Sequence, residues 1–272
     1  MIAAPRIKAW IKPQSITIAT AEEIPEEYTR HTGVFDKEKV KHFPPKWEED
    51  HTINLKDDVP MVLDCKIYQL SPDQDQKLDE FLNKHLQKGY IWESNSLYAS
   101  PFFFIKKKDG KLRPVQDYRK LNEQMICDTY PLPLIKTILE QLEGKSLFTK
   151  FDIRWGYNNI QIKEGDKWKA AFKTPKGLFE PWVMFFGLTN SPATFQRTMN
   201  CMFREMKMCY PTKLFVYMDD ILIVTNDNIT QQRQIIHEVL DKLKRESYFL
   251  RLTKCEFKKD KVDYLGVVVS RE

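Results

Sequence analysis

No stretch of the 272 residues runs 18 or more apolar positions without interruption, which excludes a membrane-spanning helix. The opening Met1-Ile2-Ala3-Ala4-Pro5-Arg6 lacks a continuous apolar core, so a secretory signal is not expected and the chain reads as intracellular. Cysteine is sparse. The five present (Cys65, Cys127, Cys201, Cys209 and Cys255) are odd in number, irregularly spaced and contain no Cys-x-x-Cys pair. That pattern argues against a disulfide framework and fits free thiols in a reducing compartment. The five histidines are equally dispersed, which leaves a zinc centre without a ligand set. No internal repeat is present.

What is there begins with an ordinary globular composition, 42% hydrophobic and 30% charged, in a chain long enough for one large or two modest cores. The net charge is +5, and its placement is informative. Residues 106–120 hold seven bases (Lys106, Lys107, Lys108, Lys111, Arg113, Arg119, Lys120) against Asp109 and Asp117, a local excess equal to that of the whole chain. A basic block on a near-neutral body suggests a phosphate-bearing partner at one place. A solvated lysine-rich hairpin is the plainer reading of the same run.

Residues 1 to about 60 read as a leader, because prolines at 5, 13, 25, 44, 45 and 60 interrupt every element. A helix is expected from Ser71-Pro72, with Leu78, Phe81, Leu82 and Leu86 on one face and Gly89 as its stop. Two apolar segments flank a charged tip at Asp109-Gly110, a hairpin signal. A short helix over Pro133–Leu142 precedes a strand over Leu147–Ile153. Ala170–Thr174 and Leu178–Met184 form another hairpin across Pro175-Lys176-Gly177. Asn190-Ser191-Pro192 opens a helix carrying Phe195, Met199, Met202 and Met206, and Thr230–Glu246 repeats apolar residues at helical spacing. Val262–Ser270 is strand-like. Hairpins alternating with helices predict an α+β fold with helices covering one face of a sheet.

The chemistry centres on Lys213-Leu-Phe-Val-Tyr-Met-Asp-Asp-Ile-Leu-Ile-Val-Thr225, two apolar strands meeting at adjacent carboxylates. Two acids beside apolar strands repel each other and are costly unless a cation meets them. Aspartate is also a common turn residue, and the pair alone does not decide the matter. Asp152, at the end of the strand Phe148–Phe151, supplies a third acid if the strands run antiparallel. Three carboxylates on neighbouring strands suit two Mg²⁺ ions about 3.5–4 Å apart, the arrangement of in-line phosphoryl transfer.

Tyr217-Met218-Asp219-Asp220 between apolar strands resembles the signature hairpin of reverse transcriptases. Around it stand Leu112-Arg-Pro-Val-Gln-Asp-Tyr-Arg-Lys-Leu-Asn122, Tyr130-Pro-Leu-Pro133, Phe148-Thr-Lys-Phe-Asp-Ile153 and Phe186-Gly-Leu-Thr-Asn-Ser-Pro-Ala-Thr-Phe-Gln196. Their order and spacing resemble the gypsy-type group of long-terminal-repeat retrotransposons, from about Pro25 to Gly266. One such motif is a weak signal; five in the correct order are highly specific. The resemblance implies the fingers and palm of a right-hand polymerase over residues 61–272, the fingers about 61–145 and part of 160–185, the palm the remainder. It implies no thumb, since the chain stops six residues after Gly266. Residues 1–24 resemble the linker after a retroelement protease, and a longer polyprotein with thumb and RNase H is the expected context, in a cytoplasmic particle or the nucleus.

Roles follow from the resemblance. Asp152, Asp219 and Asp220 match the metal triad, with Mg²⁺ as cofactor and Mn²⁺ as a substitute. Lys107 and Arg113 match the fingers residues that grip the incoming deoxynucleoside triphosphate. Tyr157 matches the aromatic gate that excludes a ribose 2′-hydroxyl, although from the residues alone a buried tyrosine reads equally well. Phe186 and Gly187 match the nucleotide pocket. Tyr217 and Met218 match contacts to the template and primer, and Tyr264, Leu265 and Gly266 match the primer grip, for which a plain core strand is the competing reading. Lys254 matches the general acid toward pyrophosphate. Trp155 and Phe185 depart from the commoner pattern, and Trp155 leaves the shape of the triphosphate pocket open. The implied function is DNA synthesis on a primed RNA or DNA template. The alternatives are a truncated remnant that binds nucleic acid without polymerising, and an RNA-dependent RNA polymerase, which Tyr157 disfavours.

Overall fold

A computed structural model describes residues 24–36, 43–106 and 110–271. Strand β1 (Leu63–Asp64) leads into helix α1 (Pro72–Gln87). Strands β2 (Ile91–Glu93), β3 (Tyr98–Lys106) and β4 (Leu112–Gln116) follow, then helices α2 (Arg119–Gln124) and α3 (Ile135–Gln141). Strand β5 (Leu147–Asp152) precedes the hairpin of β6 (Phe172–Thr174) and β7 (Gly177–Pro181). Helices α4 (Ser191–Met202) and α5 (Arg204–Cys209) come before β8 (Leu214–Tyr217), β9 (Asp220–Thr225) and helix α6 (Ile229–Arg245). The strands β10 (Glu256–Lys259), β11 (Lys261–Tyr264) and β12 (Val267–Ser270) end the described chain. The class is α+β, as the sequence leads one to expect. Contacts divide it into two compact units, one of Met1–Val40, Leu132–Arg154 and Met199–Glu272, the other of Lys41–Pro131 and Trp155–Thr198.

The second unit is built on a sheet in the order β1-β3-β6-β7-β2, with β4 paired to β3. Helix α1 starts where its sequence says it must. The Ser71 hydroxyl accepts a hydrogen bond from the Gln74 main-chain amide, the Gln74 side-chain oxygen accepts one from the Ser71 main-chain amide, and Pro72 fills the first turn without needing a partner for its nitrogen. Its apolar stripe of Leu78, Phe81 and Leu82 is buried with Phe102, Phe172, Phe179, Val183 and Phe185. Each fully buried side chain of this size contributes roughly 1.5–3 kcal/mol. The β3–β4 hairpin pairs Lys106 with Leu112; the tip residues Lys107, Lys108 and Asp109 lie outside the described residues.

The first unit holds a four-stranded sheet in the order β10-β5-β9-β8 and a two-stranded hairpin of β11 and β12. Strands β5 and β9 run antiparallel from Leu147↔Thr225 to Asp152↔Asp220. Helix α6 buries Ile235, Ile236, Val239, Leu240 and Leu243, the stripe read from its periodicity, and packs on β9. The helix expected to run through Met206 is instead interrupted at Phe203, which separates α4 from α5. The strand-like run Val262–Ser270 is a hairpin that turns at Leu265-Gly266, both at positive φ.

Part of the expected leader is packed structure. Glu26–Phe35 form a 3-10 helix whose Tyr28, Val34 and Phe35 are buried. The Tyr28 ring stacks on Phe257 at 5.4 Å and meets His237 edge-on at 5.1 Å, and Phe257 in turn packs on Phe151 beside Asp152. Proline and acid content hides this, because the partners lie more than 200 residues along the chain. Replacing Tyr28 with Ala is therefore expected to lower the unfolding free energy by about 3–4 kcal/mol, as for other large-to-Ala changes in cores. Urea melts of the two proteins measure it, and a change under about 1 kcal/mol would return the segment to the status of a leader.

Candidate active site

The β5–β9 register sets the three acids. Asp152 and Asp220 are cross-strand partners, so their side chains emerge on one face at the end of the sheet. Asp219 sits in the two-residue turn between β8 and β9, which Met218 enters at φ 54°, and its carbonyl accepts the Ile153 amide at 2.8 Å. A left-handed methionine is locally unfavourable, and the apolar strands on either side hold it there. The carbonyl of Asp152 accepts the Arg251 amide at 2.9 Å, which pins the end of β5 from its other edge. The antiparallel placement expected from the sequence is thus present.

Electrostatically the acids are unequal. Asp152 is 5% exposed; its Oδ2 accepts a hydrogen bond from Lys254 Nζ at 3.0 Å and its Oδ1 lies 3.6 Å from Arg251 Nε. Asp220 is half-buried, with Lys150 Nζ 3.6 Å from Oδ1. Burial pushes its pKa up, Asp219 and Asp152 push the same way, and Lys150 and Lys254 oppose them. A carboxyl raised in the fold above its unfolded value weakens the fold as pH rises through the folded pKa, and a bound cation removes that cost. Asp219 is exposed.

Oδ1 of Asp152 is buried and makes no hydrogen bond, and the donors are hard carboxylate oxygens of the kind Mg²⁺ takes. Among the described residues no group of three or more His, Cys, Asp or Glu already stands in a metal-holding arrangement. Lys254 and Arg251 face Asp152, and Lys150 faces Asp220, as counter-ions. The donor chemistry fits the ion, and the lysines answer the same charge.

In the second unit a guanidinium and three rings are in contact in sequence. The Arg113 guanidinium lies 5.3 Å from the centre of the Phe186 ring, Phe186 lies 4.8 Å from Tyr157, and Tyr157 meets Phe195 edge-on at 5.6 Å. Phe186 is 59% exposed, an unusual position for a phenylalanine unless something covers it. Gly187 follows at φ 107°, where a Cβ would come within 3.2 Å of the Gln116 carbonyl oxygen and 3.3 Å of the Tyr118 ring, so only glycine fits. Trp155, which departs from the common pattern, adopts φ 52° under the ammonium of Lys88 at 3.7 Å and that of Lys84 at 5.2 Å.

The structure therefore places Asp152, Asp219, Asp220, Met218 and Lys254 together in one unit, and Arg113, Tyr157, Phe186 and Gly187 together in the other. Tyr217, the partner of Asp220 across the β8–β9 ladder, packs against the core below it. Tyr264 is fully buried in that core with Phe148, Leu222 and Val262, so of the three hairpin residues only Leu265 and Gly266 reach solvent. Lys107 is outside the described residues. Sequence reasoning missed Asn122, whose side chain donates to the Gly187 carbonyl at 2.8 Å and accepts from the Thr189 amide at 2.9 Å, clamping that loop. It also missed Arg251 and Lys150. A signal existed for Lys150: a cation two residues before Asp152 in an otherwise apolar strand.

Residues 105–269 match the family model described as "Reverse transcriptase (RNA-dependent DNA polymerase)". The Tf2-3 and Tf2-7 transposon polyproteins of Schizosaccharomyces pombe (strain 972) are each 36% identical over 210 residues, covering 77% of this chain and 16% of the polyprotein. The chain thus spans 16% of the length of these curated relatives. Among solved structures, the native prototype foamy virus protease–reverse transcriptase superposes with a TM-score of 0.73 at 21% identity, covering 89% of this chain and 32% of that one. A foamy viral protease–reverse transcriptase in complex with an RNA/DNA hybrid gives 0.72 at 19% identity, covering 96% and 37%. At these identities the likeness is one of fold.

Proposed function

The chain belongs to the reverse transcriptase family, and from that premise we propose that it is the fingers and palm of a gypsy-type retrotransposon enzyme that copies a primed RNA or DNA template into DNA. The observation that carries the reading is the Asp152↔Asp220 cross-strand pair with Asp219 in the adjoining turn. Asp152 and Asp219 are the main holders of divalent metal, Mg²⁺ or Mn²⁺, and Asp220 assists. Divalent ions held by these carboxylates would supply Lewis-acid activation of the primer 3′-hydroxyl and charge neutralisation of the triphosphate. The remaining work belongs to side chains of the chain itself. Arg113 grips the triphosphate as a fixed fork of donors, steadied by the Phe186 ring; Lys107 assists it. Tyr157, set by Phe186 and Phe195, occupies the space of a 2′-hydroxyl. Gly187 lets backbone approach the nucleotide, and Met218 with the Leu265-Gly266 turn meets the primer end. Lys254 delivers a proton to the departing pyrophosphate.

A copying enzyme must accept every base, so recognition runs through phosphates and stacking, with no base code. Binding is accordingly expected to depend on salt. Each phosphate neutralised adds about 0.7–0.9 to the slope of log affinity against log salt, and a few contacts from the basic hairpin give a slope of about −2 to −4. Fluorescence anisotropy of a labelled primer–template at several salt concentrations reads it directly. A flat profile would remove the basic hairpin from the interface. Primer extension with deoxynucleotides and ribonucleotides separates the polymerase from a binding-only remnant, which gives no product, and from an RNA polymerase, which prefers ribonucleotides.

A further inference from the structure

Lys150 is on β5 two residues before Asp152, hence on the same face of the sheet. Phe148 lies on the same face of that strand, Leu222 is directly opposite Lys150 on β9, and Glu256 is opposite it on β10. A lysine amid such neighbours loses hydration and rotamer freedom, so it is retained only if its ammonium has work to do. The side chain is 18% exposed. Its Nζ donates to the main-chain carbonyl of Asp263 at 2.8 Å and lies 3.6 Å from Asp220 Oδ1. Asp263 belongs to β11, one residue before Tyr264 and two before the Leu265-Gly266 turn. One ammonium therefore faces the Asp220 carboxylate and bonds the hairpin.

The hairpin's apolar attachment is of a different kind. Val262 and Tyr264 pack into the core with Phe148, Leu222 and Val224. Apolar packing is non-directional: it holds the hairpin down without fixing its position along the sheet to a fraction of an ångström. A short bond from a charged donor to a main-chain oxygen is directional, and an ammonium with three protons can serve two acceptors at once. We propose that Lys150 is a positioning residue that fixes the Leu265-Gly266 hairpin, and with it the end of a bound primer, at a set distance from the Asp220 carboxylate. The primer half of this statement rests on the polymerase reading; the tether half does not.

Lys150→Met keeps the apolar stem and removes the charge, and Lys150→Arg keeps the charge. Amide hydrogen exchange on the metal-free proteins tests the tether. In Lys150→Met the amides of β11 and β12 are expected to exchange about tenfold faster, with β8 and β9 unchanged, and Lys150→Arg to recover most of the protection. In primer extension the KM for primer–template should rise about fivefold in Lys150→Met, with the KM for the deoxynucleotide unmoved. Wild-type exchange at the hairpin in folded Lys150→Met overturns the tether. So does faster exchange spread evenly over β5, β8 and β9, which would mark a general loss of stability. A loosened hairpin with an unchanged primer–template KM overturns the positioning role. A wild-type chain that extends no primer contradicts the polymerase reading, and the exchange measurement still decides the tether.

Discussion

Asp219→Asn protein is expected to fold as the wild type does and to incorporate nucleotides at least about 10³-fold more slowly, a loss of about 4 kcal/mol of transition-state stabilisation. The two halves of that expectation come from different atoms of one residue. The structural role belongs to the main chain, whose carbonyl accepts the Ile153 amide at 2.8 Å, and the substitution leaves that bond in place. The side chain is exposed in the turn and neutral asparagine is an acceptable turn residue, so stability should move by less than about 0.5 kcal/mol. The chemical role belongs to the carboxylate. An amide oxygen carries no net charge and holds a hard divalent ion poorly, so charge developing on the reacting phosphate goes uncompensated. Asp152→Asn should be equally inactive but less stable, because Lys254 and Arg251 then face a neutral side chain. Both partners are partly solvated, which limits that cost to about 1 kcal/mol. Single-turnover incorporation together with a thermal melt separates the two variants. An Asp219→Asn protein that extends at the wild-type rate would remove the carboxylates from the chemistry.

Tyr157→Ala is expected to lower the preference for deoxynucleotides over ribonucleotides by on the order of 10²-fold. A pocket that excludes an extra group by contact commonly discriminates over this range, and loses it when the contacting ring is removed. Tyr157 is suited to the task because it is held from two sides, by Phe186 at 4.8 Å and by Phe195 at 5.6 Å, so its ring cannot swing aside to admit a larger sugar. Tyr157→Phe keeps the ring and should keep the selectivity. The ratio of kcat/KM for matched deoxy and ribo substrates is the measurement. An unchanged ratio in the alanine variant would return Tyr157 to the core as a packing residue.

The acids and the helices were legible in the sequence because their signals are local. Asp219-Asp220 between two apolar runs, Ser71-Pro72 before an apolar stripe, and the spacing of Ile235 through Leu243 each state their structure within a few residues. An antiparallel run of strands was enough to expect Asp152 beside the Asp219-Asp220 tip; its register opposite Asp220 comes from the structure. What escaped depends on register and on distant partners. Lys150 gains its two acceptors only once β5 lies beside β9 and the hairpin folds back over it. Asn122 is one polar residue in a helix until the Gly187 loop arrives. Tyr28, Val34 and Phe35 sit in a proline-rich, acidic stretch, and their burial depends on Phe257 and α6. Tyr264 resembles a contact residue by motif, yet strand alternation turns it into the core and leaves the exposed positions to its neighbours.

The central claim is template-directed DNA synthesis by this chain, and its most direct measurement is single-nucleotide addition. A labelled DNA primer is annealed to four RNA templates that differ only in the next base, and each is offered the four deoxynucleoside triphosphates one at a time with Mg²⁺. Each template is expected to select its complement, chelating the metal with EDTA to stop addition, and Asp219→Asn to give none above background. Addition of the same nucleotide on all four templates, or undiminished addition by Asp219→Asn, would contradict it.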